Sequence, residues 1–126
     1  MLFRSQWTAA TASAAVTLFK PAVATRVTYS MYTDTPVPPD EPRAENPPDG
    51  AIIDYHLGHD ARVVTLEFLN TAGRVLRTYS SEDAAPPPVD QGNWPWYWFR
   101  PPVNPSTKAG LQRFVWDLHY ARPTTQ

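Results

Sequence analysis

Residues 62–81 read RVVTLEFLNTAGRVLRTYSS, and this stretch decides the fold. Val64, Leu66 and Phe68 alternate with Thr65, Glu67 and Leu69, the period-two pattern that puts one apolar face on an extended strand. Asn70-Thr71-Ala72-Gly73 then supplies turn chemistry, with a glycine free to take positive φ, and Val75, Arg77 and Tyr79 resume the alternation. The reading is a β-hairpin.

Two further strands flank it. Upstream, AIIDYHL (51–57) sets Ile53, Tyr55 and Leu57 on one side and Ile52, Asp54 and His56 on the other. Downstream, GLQRFVWDLHY (110–120) points Phe114, Trp116, Leu118 and Tyr120 one way and Arg113, Asp117 and His119 the other, as a half-buried antiparallel strand does. Val64, Leu66, Phe68, Phe114 and Trp116 are expected to share one core layer. The fold class expected is all-β, a truncated antiparallel β-sandwich of immunoglobulin or fibronectin-III type with an extended proline-rich N-terminal segment. About four strands fall between 51 and 120 where such a sandwich has roughly seven.

Composition agrees with this. Fifteen prolines against five glycines in 126 residues make long helices improbable. The stretch 33–48 is almost devoid of apolar side chains and reads as a proline-rich linker. Residues 1–32 are expected to be the tail end of an upstream domain, with Val16–Phe19 and Thr25–Tyr29 as strands belonging to that other unit. Residues 49–122 are expected to form the partial sandwich. Arg4, Gln6 and several threonines interrupt the apolar run at the start, which argues against a signal peptide or a membrane span. Leu2 to Ser5 also reads like a translated sequencing adapter, so the first few residues are expected to be an artefact of a partial gene.

The net charge of −1, from eleven basic and twelve acidic residues, gives no electrostatic footprint for nucleic acid. The absence of cysteine removes disulfides, thiolate metal sites and thiol nucleophiles.

Paired carboxylates are the first candidates for chemistry, since glycoside hydrolysis needs two around one bond. Asp54, Glu67 and Asp117 all fall on strand faces opposite the apolar set, where solvated polar residues are the rule. His56 and His59 are three apart, and His119 lies two after Asp117, but no third ligand follows at a metal-binding interval. No catalytic, cofactor-binding or metal-ligating residue is therefore assigned. The density of aromatic residues does stand out: Trp94, Trp96, Tyr97, Trp98 and Phe99 sit within six residues, followed by Arg100. Such an arm is read as an interaction surface, packing on a neighbouring domain or stacking on sugar rings.

The blocks ENPPDGAIIDYHL, VTLEFLNTAGRVLRTYSS, WPWYWFRPP and AGLQRFVWDLHYARP, in that order, resemble the C-terminal region of bacterial BNR/WD40-type repeat proteins. These are large β-propeller proteins related to the N-terminal domain of sortilin and often labelled glycosyl hydrolases. VTLFKPAVATRVTYSMYTDTPVPPDEP resembles the segment that leaves their propeller, so the similarity spans about residues 14–122. The resemblance implies an extracellular or periplasmic parent, with the propeller as this module's partner and a glycan or cell-surface protein as a further one. It implies no enzyme activity for this chain. A hydrolytic site, where the parent has one, would lie on the propeller.

Overall fold

The hydrophobic alternation of residues 51–57 has its structural counterpart in the central strand of a three-stranded antiparallel sheet. The computed structural model describes residues 6–27, 38, 40–42, 48–84 and 103–120. In chain order the elements are α1 (Ala9–Ser13), β1 (Val16–Leu18), β2 (Ala51–Leu57), β3 (Thr65–Leu69), β4 (Val75–Ser80) and β5 (Gly110–Trp116). They form two antiparallel sheets, β1-β2-β5 and β3-β4. The one-turn helix α1 opens with a capping box, in which the Thr8 side chain accepts from Thr11 N–H and the Thr11 hydroxyl accepts from Thr8 N–H. The described structure is all-β apart from this turn.

β2 alternates strictly between buried and half-buried residues, with Ala51, Ile53, Tyr55 and Leu57 inward. Its partners in β5 are in register, Ala51 with Trp116 and Ile53 with Phe114, so these inward side chains lie side by side. The β3-β4 hairpin covers them. Phe68 lies tilted against Trp116 at 4.3 Å and 6.4 Å from Phe114, while Tyr79 reaches Phe114 at 4.9 Å, measured between ring centroids. Val64, Leu66, Phe68 and Trp116 all pack on the buried cluster that contains Phe114, as the alternation predicts.

The hairpin turn follows from Asn70 and Gly73. The Asn70 side-chain oxygen accepts from the N–H groups of Ala72 (3.0 Å) and Arg74 (2.8 Å), and Gly73 takes φ 76°. Nothing lies within 4 Å of where a Gly73 β-carbon would sit, so Gly73→Ala meets only the backbone cost of the left-handed region. A loss of about 1 kcal/mol is expected, read from urea unfolding. Beyond the turn, Leu69 pairs with Val75 but Phe68 pairs with Arg77, so Leu76 is an extra residue in β4. This bulge, absent from the simple alternation, moves Val75 off the face that carries Arg77 and Tyr79.

Two further expectations are corrected. Val16–Leu18 does not stand apart as a strand of another unit: β1 pairs with β2, setting Val16 opposite Leu57 and Leu18 opposite Tyr55. Phe19, which follows it, is 2% exposed. The second correction concerns the C-terminal strand, which ends at Trp116 rather than running to 120. Leu118 has φ 60°, and the Asp117 carboxylate accepts from His119 N–H at 3.0 Å, closing a turn. Tyr120 is accordingly 69% exposed.

Candidate functional site

The two sheets are unequal, and among the described residues the mismatch leaves part of the inner face uncovered. Val16 and Leu18 sit beside Leu57 and Tyr55, whose side chains point into the core, yet they are 66% and 63% exposed. Between β1 and β3 runs a cleft of about 280 Å³ lined by Leu18, Pro21, Ile53 and all five residues of β3. Pro21 ends the ladder on the β1 side because it has no N–H to donate. Leu69, 53% exposed, borders the cleft from the outer face of β3.

Polar clasps hold this open arrangement together. Asp60 lies in the crossover from β2 to β3 and accepts from Ala109 N–H at 2.8 Å and from the Lys108 ammonium at 3.1 Å. The Tyr55 hydroxyl donates to Ser106 O at 2.7 Å, and Ala61 N–H to Thr107 O at 2.8 Å, so the crossover is fixed to the segment that leads into β5. Burial pushes the Tyr55 phenol above its ordinary pKa, against the opposing effect of its hydrogen bond to Ser106. The Ala109 N–H, then the hydrogen bond and charge of Lys108, hold the Asp60 carboxyl below its ordinary range.

A carboxyl depressed on folding adds stability above its unfolded pKa, and that stability disappears as the pH falls through the lower folded value. Thermal melts of Asp60→Ala and the unaltered chain are therefore expected to differ by a small constant amount from pH 7 to about 5, and to converge below about pH 4. A gap that persists at pH 2 would show that the clasp contributes through something other than the ionised carboxylate.

The carboxylates named from the sequence do not converge. Asp54 forms a fork with Arg113, its directly opposite partner in β5, at 2.7 and 2.9 Å. That fork, opposed by some burial, raises the Arg113 pKa. Asp54 is therefore a paired group, its side chain 13% exposed, rather than a solvated one. Glu67 is exposed on the outer face of β3. Asp117 lies 3.5 Å from His119 Nδ1. An arginine can only donate, so the Arg26 guanidinium 3.1 Å from His119 Nε2 fixes the tautomer, with the imidazole proton on Nδ1 facing Asp117. His56 lies edge-on to the Trp7 ring at 5.1 Å on the opposite face of the sheet, and His59 is exposed in the loop after β2. Among the described residues no three of these groups gather as metal ligands.

The aromatic arm of Trp94, Trp96, Tyr97, Trp98, Phe99 and Arg100 lies outside the described residues, as does most of the proline-rich stretch 33–48. The cleft between β1 and β3 was not read from the sequence. Its one local signal is the apolar pair Val16 and Leu18 followed by a strand-ending proline. Among the described residues no helix is long and apolar enough to cross a membrane. No family model, curated protein or solved structure matches the chain.

Proposed function

We propose that the chain is a non-catalytic module of immunoglobulin or fibronectin-III type from a larger secreted β-propeller protein of the BNR/WD40-type repeat kind, and that it serves domain packing or interaction. The observation that supports this best is the inner face that the described residues leave uncovered: Val16 and Leu18 expose apolar surface beside a formed core. Apolar surface left open in this way is characteristic of contact sites. The scattered carboxylates and histidines, each engaged with a local partner or exposed to solvent, favour contact over chemistry.

Reading the open reading frame on both sides of this segment tests the origin. Propeller-blade repeats upstream support it, and unrelated sequence there overturns it. Turnover of aryl glycosides by the chain alone would replace the non-catalytic reading with that of a glycosyl hydrolase fragment.

The aromatic composition of 94–99 favours a second reading, a carbohydrate-binding module. Retention on a glycan array that is lost in the Trp94, Trp96 and Trp98 triple alanine variant would establish it.

A further inference from the structure

We propose that the edge of β3 away from β4, which pairs with no strand among the described residues, is a docking site for an extended segment of another polypeptide, one that alternates apolar side chains with polar ones and carries a lysine or arginine opposite Glu67. The inference deepens the interaction reading above and rests on it only in treating the open face as a contact surface. The hydrogen-bond pattern on either side of β3 carries the argument. Ser81 N–H donates to Val64 O and Asn70 N–H donates to Arg74 O, both at 2.9 Å. Backbone groups in an antiparallel ladder alternate in direction, so Leu66 and Phe68 turn theirs toward β4, while Thr65, Glu67 and Leu69 turn theirs away. Among the described residues no strand lies on that side. The edge is thus a five-residue template with three positions open to pairing.

The cleft beside this edge determines what faces inward. At about 280 Å³ it falls just below the roughly 300–1,000 Å³ of small-molecule pockets, and it is open along a strand edge. An added strand would direct alternate side chains into it, against Leu18, Pro21, Ile53, Leu66 and Phe68, and cover the exposed inner face of β1. Its remaining side chains would lie on the outer face beside Thr65, Glu67 and Leu69. Glu67 makes no ion pair among the described residues, and cross-strand opposite charges stabilise where like charges destabilise. A second copy of β3 centred on this edge would set Glu67 against its own counterpart, which disfavours self-pairing and favours a basic partner.

The test uses the full chain and three amidated nine-residue peptides. One alternates valine with threonine and carries lysine at the central outward position. The second has glutamate there, and the third has prolines at the ladder positions. The lysine peptide is expected to bind about three- to tenfold more tightly than the glutamate peptide, and the proline peptide not at all. Amide shifts should centre on Thr65, Glu67 and Leu69, and Glu67→Lys, an exposed change checked for folding by circular dichroism, should reverse the order of the first two peptides.

Any of four results overturns the proposal: no binding, binding that survives the prolines, shifts that map to another edge, or sedimentation showing that copies of the chain pair through β3. Failure here with propeller repeats present upstream removes the edge proposal alone. Peptide binding with unrelated flanking sequence removes only the propeller origin.

Discussion

Phe114→Ala is expected to remove about 3–5 kcal/mol from the folded chain, the range for deleting a buried phenylalanine ring. Phe114 is 2% exposed and occupies the junction of the two sheets, beside Ile53 within its own sheet and against Tyr79 and Phe68 from the hairpin. Its loss opens a cavity that neither sheet can close without sliding, because β2 and β5 are held in register along their whole length. Small domains have only about 5–15 kcal/mol in total, so the variant is expected to unfold at low urea and lose its cooperative thermal transition near room temperature. Ile53→Val, on the same layer, should cost about 0.5–1.5 kcal/mol. Urea titrations followed by far-ultraviolet circular dichroism measure both. A cost below 1 kcal/mol for Phe114→Ala would mean that the hairpin does not pack on the three-stranded sheet.

The parts of this architecture that depend on local pattern were legible in the sequence. The hairpin announces itself because the alternation of Val64, Leu66 and Phe68 runs into Asn70 and Gly73, and turn chemistry and pattern agree. β2 was legible because one face is apolar at every position, and its alternation survives intact in the structure. β5 was legible only as far as Trp116: the apolar alternation continues through Leu118 and Tyr120, but side-chain polarity carries no information about the positive φ at Leu118. β1 could not be placed, because three residues fix no partner and its partner lies beyond a proline-rich stretch. The bulge at Leu76 was hidden for a related reason, since Val75, Arg77 and Tyr79 alternate in sequence whether or not a residue is looped out between them. The open cleft is a property of what two sheets of unequal size fail to cover, so no single segment encodes it.

Gly50→Ala is the other substitution with a large expected effect, and its contrast with Gly73→Ala separates backbone strain from steric clash. Gly50 precedes β2 with φ 124°, a conformation that residues with a side chain rarely adopt. That alone costs about 1–3 kcal/mol. A β-carbon at Gly50 would also lie 2.1 Å from the Trp116 carbonyl oxygen and 2.9 Å from its carbonyl carbon, with Asp117 Cα at 3.3 Å. These are backbone atoms, fixed by the pairing of Trp116 with Ala51, and they cannot rotate aside as a long side chain would. Relief requires the end of β5 to move away from the start of β2, which also shifts Trp116 off Phe68, and displacing a packed core costs about 1–3 kcal/mol more. The sum, about 2–6 kcal/mol, is several times the expected cost at Gly73, where no atom lies in the way. Side-by-side urea titrations of the two variants decide the matter. Equal destabilisation would mean that the chain does not pass Gly50 against Trp116, and the pairing of Ala51 with Trp116 at the head of the central strand would fall with it.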